Sequence, residues 1–278
     1  MRKMKVSIIT INYIDCIGLE NTIQSVVSQT CNDYEYIVID GGSTDGSVDV
    51  IKKYASKISY WISERDKGIY HAMNKGIDKA TGDYCLFLNS GDTLFNNEVL
   101  NTIRYDLTTD IVVGAIRKGT SGYIKRFKIK EPLVLLDFWI ENPIPHQSTF
   151  IKKEICSRLR YDESLKIAAD LKFFLQAIVV LKCSCQSSDC IVANFDENGI
   201  SSHQGADDEW EKIFSELMPP YLFNDFQKML ERNYDGFYIR LRLRKYYKLI
   251  YSLSVLCVRF ISIFRSSAHF VSKYPSRV

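Results

Sequence analysis

The chain has 278 residues and a formal net charge of +3, and its apolar content of 46% is ordinary for a water-soluble protein. A chain of this length can bury a large core, either as one α/β domain or as one domain with an appendage. A secretory signal is not expected, because the apolar stretch 6–11 is too short for one and no cleavage site follows it.

The net charge conceals an asymmetry between the body and the C-terminal segment. Residues 236–278 contain nine Lys or Arg and no Asp or Glu, so the remaining residues carry 27 basic against 33 acidic side chains. A basic segment on an acidic body predicts an anionic surface as partner rather than nucleic acid.

The eight cysteines indicate a reducing compartment. Most of them lie in apolar surroundings, as expected for buried thiols of a cytoplasmic protein. The cluster Cys183, Cys185 and Cys190 has no zinc-ligand spacing with a matching pair, so we interpret it as structural.

Predicted strands and helices alternate through the first half of the chain. In chain order they are strand 5–12, helix 19–29, strand 34–40, a helix from about 45 to 57, strand 59–63, helix 69–80 and strand 84–88. This alternation predicts an α/β fold, a mostly parallel sheet with helices on both faces.

The pattern changes after residue 98. The predicted elements are a helix to 106, strand 111–115, strand 123–128, a Pro-bounded segment 132–145, strand 148–152, helix 170–180 and strand 190–195. No low-complexity linker occurs before residue 205. We therefore predict one domain with a mixed sheet over residues 1–205, divided into halves of about 1–115 and 116–205.

Residues 206–278 are predicted to form a helical extension. Apolar and aromatic side chains at 246, 250, 253, 257, 260 and 264 share one helical face, opposite a basic stripe. The uncharged run 249–258 is far shorter than the ~20 residues that span a bilayer. Such a helix favours the surface of a membrane, and the alternative is a helix packed on the domain.

Three predicted strand ends carry polar or aromatic residues that could hold a ligand. Asn12 and Tyr13 end the first strand, Asp40 ends the second, and Asp92 follows the fourth. In a parallel sheet these ends share the edge at which nucleotides bind. Asp92 is a hard oxygen ligand suited to Mg²⁺ or Mn²⁺. Taken singly, each segment could also be an ordinary turn.

These segments resemble the family 2 glycosyltransferases, which have the GT-A fold, and especially the members that assemble bacterial polysaccharides. The resemblance covers about residues 5–202. It is carried by SIITINY at 7–13, VIDGGSTDG at 38–46, DKGIYHAMNKG at 66–76 and NSGD at 89–92.

The resemblance implies a Rossmann-like, mostly parallel mixed sheet and an inverting transfer from a nucleotide-diphosphate sugar. The donor is usually a UDP-sugar, and the implied cofactor is Mn²⁺ or Mg²⁺. The implied nucleotide-binding positions are Thr10, Asn12, Tyr13, Asp40, Gly42, Asp66, Lys67, Asn74, Asn89, Ser90 and Gly91.

The acidic motif of the family reads NSGD here. Asn89 places a neutral oxygen where the family often has a carboxylate, so Asp92 would carry most of the charge toward the metal. His203, in a late polar loop, is the second candidate metal ligand. The alternative for His203 is a solvent-exposed side chain.

An inverting transfer needs one base within hydrogen-bond reach of the acceptor hydroxyl. Asp170 is the only carboxylate of segment 166–174, which resembles the acidic base motif of the family at a helix start. The alternative is that Asp170 caps this helix.

The sequence therefore predicts a peripheral enzyme on the cytoplasmic face of the inner membrane. It would move a hexose or an N-acetylhexosamine onto a lipid-linked oligosaccharide during O-antigen, capsule or exopolysaccharide synthesis, with residues 116–205 as the acceptor half. The alternatives are a non-catalytic sugar-nucleotide-binding or scaffold protein and, less favoured, a Rossmann-type oxidoreductase. The oxidoreductase is disfavoured because no glycine fingerprint follows the first strand.

Overall fold

The computed structural model describes residues 4–119, 121–129, 144–196 and 206–221, and in addition the single residues 133, 138, 223, 224 and 227. The chain divides into two compact units, Met1–Ile213 and Phe214–Val278. The strands of the first unit are β1 (Val6–Asn12), β2 (Tyr34–Asp40), β3 (Tyr60–Ser63), β4 (Tyr84–Phe87), β5 (Thr93–Leu94), β6 (Ile111–Lys118), β7 (Ile124–Lys125), β8 (Thr149–Lys152) and β9 (Cys185–Phe195).

The helices alternate with the strands from β1 to β4, and the order is less regular after β4. They are α1 (Cys16–Val27), α2 (Ser47–Lys53), α3 (Ile69–Lys79), α4 (Val99–Ile103), α5 (Lys153–Leu159), α6 (Ala169–Leu175) and α7 (Ala206–Leu217). Two short 3₁₀ helices, Ala55–Lys57 and His146–Ser148, and a π-helix, Gln176–Val180, complete the described elements.

The described strands form one sheet in the order β3-β2-β1-β4-β8-β6-β9-β5, and β7 pairs with β6. Strands β3, β2, β1 and β4 are parallel, whereas β8 is antiparallel to both of its neighbours. The predicted mixed α/β sheet is confirmed. Its parallel part brings the carboxyl ends of β1, β2 and β4 to one edge.

Apolar residues on both faces of β1 explain why helices cover the sheet on two sides. Ile8 lies in the cluster that contains Leu19 and Ile23 of α1. Ile9 faces the opposite way, toward α3, where a Cβ on Gly76 would lie 2.3 Å from its Cγ2 atom. Gly76 therefore lets α3 approach the strand closely.

Several predicted boundaries differ from the observed ones for local physical reasons. Helix α1 begins three residues earlier than predicted, because the Asp15 side chain accepts a hydrogen bond from the Gly18 N–H and caps the helix. The predicted helix 170–180 is an α-helix only to Leu175. Its last turn is the π-helix, in which the Leu181 N–H donates to the Gln176 carbonyl.

The hydrophobic pattern of the sequence did not predict some other elements or their bounds. Strand β9 begins at Cys185 rather than Cys190, so two of the clustered cysteines lie in a strand, and all three are free thiols. The predictions did not include β5 or α5, whereas α7 lies at the start of the predicted helical extension 206–278. The predicted membrane helix of the C-terminal extension lies outside the described residues. Among the helices of the described segments, none has the length and apolar character needed to cross a bilayer.

A buried carboxylate joins the amino ends of the strands. Glu35 lies opposite Ser7 in the β1–β2 pair and accepts hydrogen bonds from the Ser7 hydroxyl, the Thr81 hydroxyl and the Lys5 ammonium. The backbone N–H of Gly82 donates to the same carboxylate. Burial alone would raise the pKa of Glu35, but these donors outweigh it and hold the pKa at about 2.

We predict that Glu35→Gln destabilises the protein at pH 7 and much less at pH 3. The folded pKa of about 2 lies below the ordinary value of 4.5, so this stabilisation is complete above pH 4.5 and is lost as the pH falls toward 2. The full effect is on the order of 3 kcal/mol. Urea denaturation of both proteins at the two pH values measures it, with Asp49→Asn on the exposed face of α2 as control. An equal loss of stability at both pH values would contradict this account.

Candidate active site

A cleft of about 930 Å³ opens at the carboxyl ends of β1, β2 and β4. One wall consists of the segments that follow these strands, and the other consists of residues near the start of α6. The lining of the cleft includes Asn12, Tyr13, Gly41, Gly42, Arg65, Asp66, Asn89, Ser90, Asp92, His146, Lys166, Ile167, Asp170 and Asp196.

Asp40 organises the floor beneath this cleft. The strand register places it between Asn12 and Ser63, and its Oδ1 atom accepts from Asn12 Nδ2 at 2.7 Å. The other carboxylate oxygen accepts from Ser63 Oγ and from the Ser43 N–H. Burial would raise the pKa of Asp40, but the donors of Ser43 and Ser63 outweigh it and lower the pKa below its ordinary value.

Asp40 is fully buried and is not among the lining residues. Its observed contacts hold the turn 41–43 in place, and its expected role as a nucleotide-binding residue remains a prediction. Gly42, in the same turn, has a φ of +82° and lines the cleft.

Tyr13 and Asp66 flank this turn on the cleft side. Tyr13 is 67% exposed, which leaves its ring available to a planar ligand. A Cβ on Gly41 would lie 3.1 Å from the Tyr13 ring and 3.3 Å from Asp66 Oδ2. Because Gly41 has no side chain, the aromatic ring of Tyr13 and the carboxylate of Asp66 can both lie at this corner of the cleft.

Asp66 is fixed in this position by a lysine and a histidine of the segment that follows it. Lys75 Nζ lies 2.6 Å from Asp66 Oδ1, and His71 Nδ1 lies 3.2 Å from the same oxygen. Lys75 also pairs with Glu64 at 2.7 Å. These contacts keep a carboxylate oriented at the wall of the cleft.

Four other predicted nucleotide-binding residues lie away from the lining. Thr10 is buried and accepts a hydrogen bond from the Tyr36 hydroxyl, and Lys67 is exposed. Asn74 exchanges hydrogen bonds with the backbone of Tyr161 and thereby joins α3 to the segment before α6. Gly91 has a φ of +93°, and a Cβ there would lie 2.8 Å from an Asp196 carboxylate oxygen. Their predicted roles remain predictions.

Asp92 is the most deeply buried carboxylate of the lining, with 4% of its surface exposed. Burial raises its pKa to about 7, against the lowering effect of the Asp196 N–H. The Asp196 N–H donates to Asp92 Oδ1 at 2.9 Å. Asp92 is therefore a carboxylate that has little solvent to stabilise its charge.

The donor set beside Asp92 fits a hard divalent cation. Asn89 Oδ1 is buried and has no hydrogen-bond partner among the described residues. Such a cation prefers oxygen ligands, and Mg²⁺ commonly binds through one or two carboxylates together with substrate phosphates. In the described segments, no three His, Cys, Asp or Glu side chains converge to hold a metal by themselves. His203 lies outside the described residues.

Asp170 lies on the opposite wall, in the first turn of α6. The N-cap residue of this helix is Ala168. Asp170 therefore does not cap the helix, which was the alternative interpretation of this residue. The Asp170 Oδ1 atom accepts from the Leu171 N–H, and Oδ2 lies 3.6 Å from His146 Nδ1. His146 Nε2 in turn lies 3.3 Å from Asn89 Nδ2.

Glu209 holds the wall that carries Asp170. Its carboxylate accepts the backbone N–H groups of Lys166, Ile167 and Ala168 at 2.6, 2.9 and 2.9 Å. Burial would raise the pKa of Glu209, but these three donors lower it. The Tyr70 hydroxyl donates to the Ile167 carbonyl from the other side.

Sequence reasoning missed four of these site residues. Arg65 and Lys166 add positive charge at the cleft, and Lys166 lies in a segment that was singled out only for its carboxylate. Asp196 and Glu209 act through contacts with residues about 40 to 100 positions away. No local motif marks such long-range partners, although Asp196 directly follows a predicted strand.

Residues 7–161 match the family described as Glycosyl transferase family 2. An uncharacterized glycosyltransferase of Mycobacterium tuberculosis is 33% identical over 218 residues, which cover 76% of this chain and 81% of that protein. A glycosyltransferase of PGL/p-HBAD biosynthesis from Mycobacterium bovis is 27% identical over 198 residues, which cover 68% and 76% of the two chains.

Solved structures share the fold at lower identity. The crystal structure of Staphylococcus aureus TarS 1–349 in complex with UDP-GlcNAc has a TM-score of 0.62 and 19% identity, and the match covers 76% of this chain and 64% of that one. The mannosyltransferase PcManGT from Pyrobaculum calidifontis, in complex with GDP-Man and Mn²⁺, has a TM-score of 0.53, 16% identity and coverages of 77% and 62%. The match thus spans less than two thirds of either solved chain, and the likeness establishes a GT-A type of fold.

We predict that Glu209→Gln lowers stability and activity together. The amide nitrogen of Gln would face backbone N–H groups that now donate to a carboxylate, so about 1–3 kcal/mol of stability should be lost. Thermal unfolding and transfer rate measure the effect. The exposed Asp208→Asn on the same helix is the matched control. If both variants lost the same stability and activity, the contact of Glu209 with segment 166–168 would not be the cause.

Proposed function

Because the chain belongs to glycosyl transferase family 2, we propose that it transfers a sugar from a UDP-sugar to a hydroxyl group of a lipid-linked oligosaccharide, with inversion at the anomeric carbon. The observation that carries this proposal is the arrangement of one cleft. Tyr13, Asp66 and Asp92 line the same cleft as Asp170, and His146 lies between Asp170 and Asn89. A donor and an acceptor could therefore meet between the two walls.

The donor is proposed to bind along the edge formed by β1, β2 and β4. Tyr13 would stack on the base, and Asp66 would accept hydrogen bonds from the base or ribose. Arg65 and Lys166 would contact the diphosphate. The complex of TarS with UDP-GlcNAc supports a UDP-sugar, whereas the PcManGT complex makes a GDP-sugar the alternative to include in tests.

The first experiment is a donor screen by thermal stabilisation and hydrolysis. The panel contains UDP-glucose, UDP-galactose, their N-acetyl forms, GDP-mannose and NAD(H). Stabilisation by at least one UDP-sugar is expected, because a ligand that binds only the folded state raises its apparent stability. Stabilisation by NAD(H) alone would overturn the proposal.

A divalent cation, Mn²⁺ or Mg²⁺, is proposed to bind at Asp92. When bound, it would neutralise charge on the leaving diphosphate. Asn89 would add a neutral oxygen beside Asp92, and His203 is proposed as a further ligand.

We predict that Asp92→Ala removes the effect of Mn²⁺ on UDP affinity. Titration calorimetry with UDP, in Mn²⁺ and in EDTA, should show at least a tenfold difference for the original protein, or about 1.4 kcal/mol. The variant should bind UDP equally under both conditions. Retention of the full Mn²⁺ effect would remove Asp92 from the proposed metal site.

Asp170 is proposed as the base. Its carboxylate would take the proton of the acceptor hydroxyl while that oxygen forms a bond to C1 of the sugar. The bond between C1 and the diphosphate oxygen would break, and the diphosphate would leave with the electron pair. Attack from the face opposite to the leaving group inverts the configuration at C1.

We predict that Asp170→Asn lowers kcat by about 100-fold or more, because general-base catalysis contributes about 10²–10⁴-fold. UDP affinity should change by less than about twofold, since Asn keeps the size of the side chain. Asp189→Asn, on an exposed part of β9, is the control. Near-normal transfer by Asp170→Asn would show that another group is the base.

The extension 206–278 is proposed to hold the enzyme on the cytoplasmic face of the inner membrane, near a lipid-linked acceptor of O-antigen, capsule or exopolysaccharide synthesis. Its excess of basic residues after position 235 supports this proposal. Each Lys or Arg near an anionic surface contributes about 1 kcal/mol to binding.

We predict that a chain truncated after Asp235 no longer sediments with vesicles that contain anionic lipid. The full chain should sediment with these vesicles in low salt and should be released by high salt. Vesicles of neutral lipid are the control. Equal sedimentation of the two chains would contradict the role of the extension.

A further inference from the structure

His146 connects the two walls of the cleft. Its Nδ1 atom lies 3.6 Å from Asp170 Oδ2, and its Nε2 atom lies 3.3 Å from Asn89 Nδ2. The backbone that carries it is held by Ser148, whose hydroxyl donates to the Gly114 carbonyl. The imidazole is thus fixed between the proposed base and the residue that departs from the acidic motif of the family.

The chemistry of the two neighbours selects one tautomer of the imidazole. A neutral imidazole has one N–H donor and one acceptor nitrogen. An ionised carboxylate only accepts hydrogen bonds, so the proton belongs on Nδ1, which faces Asp170. Nε2 is then an acceptor, and the amide group of Asn89 supplies the donor that it needs.

We propose that His146 is a positioning residue for Asp170 and that Asn89 sets its tautomer. This inference rests on the proposed role of Asp170 as the base. The Nδ1–H group directs one oxygen of the carboxylate, and the Leu171 N–H directs the other. The observed separation of 3.6 Å is longer than a hydrogen bond, and we expect it to shorten when the acceptor binds, because contacts in catalytic sites often tighten in the substrate complex.

This role explains why an amide at position 89 suits this chain. A carboxylate at position 89 would accept from Nε2 and would require a proton there. The imidazole would then lose its Nδ1 proton or become a cation. Asn89 donates through Nδ2 instead, and its Oδ1 atom is buried without a hydrogen-bond partner among the described residues.

The imidazole keeps its proton throughout the transfer. The acceptor hydroxyl gives its proton to the Asp170 carboxylate, and no proton passes to His146. His146 affects the rate because a base that is displaced by 1 Å can lose about 100-fold in rate.

The tautomer can be measured without turnover. The chain has four histidines, so two-bond ¹H–¹⁵N spectra of ¹⁵N-histidine protein are assigned by the signals that His146→Asn removes. The expected spectrum has a protonated Nδ1 and an unprotonated Nε2. In Asn89→Asp, Nε2 should become protonated. The surface change Asn97→Asp should leave the His146 signals unchanged.

Two substitutions of His146 separate positioning from packing. In His146→Asn, the amide nitrogen lies near the place of Nδ1 and keeps a donor for Asp170, whereas His146→Leu keeps bulk without a donor. We expect His146→Leu to lower kcat by about 10–100-fold, with little change in UDP affinity, and His146→Asn to recover most of that loss.

The proposal is overturned by a protonated Nε2 in the original protein, by an unchanged tautomer in Asn89→Asp, or by equal kcat values for His146→Leu and His146→Asn. Failure of the proposed role of Asp170 has a different signature, because Asp170→Asn would then keep its transfer activity whatever tautomer His146 has. Failure of the proposed function would appear in the donor screen, as no stabilisation of the original protein by any UDP-sugar.

Discussion

The buried carboxylate of Asp40 is the contact on which the donor side of the cleft depends. Parallel pairing places Asn12, Asp40 and Ser63 side by side at the ends of three strands. A carboxylate with no solvent must receive hydrogen bonds from the protein, and here the turn that follows β2 supplies them. The hydrogen bonds that this buried charge requires therefore fix the loop that contains Gly41 and Gly42. The corner between Tyr13 and Asp66 follows from that loop.

The opposite wall depends on a comparable arrangement at longer range. Segment 166–168 is irregular backbone, and its N–H groups need acceptors because the segment is partly buried. Glu209 supplies these acceptors, and Tyr70 binds the carbonyl group of Ile167. Asp170 follows this segment directly, so its position is set by residues that are distant in the sequence.

The parallel half of the fold was predictable because its strands are apolar runs of ordinary length that alternate with amphipathic helices. Strand β2 has the predicted bounds, and β1 and β4 differ from theirs by one residue. The π-helix was not predictable in this way, since an apolar run from Gln176 to Val180 fits an α-helix equally well. Strand β5, with two residues, is too short to have a period.

The candidate site was predictable where a strand end carries a polar residue, as at Asn12 and Asp92. The sequence does not distinguish a carboxylate that faces the cleft from one that lies beneath it. Asp40 ends one predicted strand and Asp66 follows another, each close to a glycine, and only the contacts of the folded chain separate their roles. Glu209 and Asp196 could not be inferred, because their partners come from other segments.

The contacts of Glu209 with segment 166–168 also affect the order in which the parts of the cleft can form during synthesis. The parallel strands and the residues that donate to Asp40 are all synthesised before residue 209 leaves the ribosome. The nascent chain gains the acceptor for the backbone before Asp170 only when residue 209 has emerged. The two walls of the cleft are therefore completed at different times, and the wall that carries the proposed base is completed last.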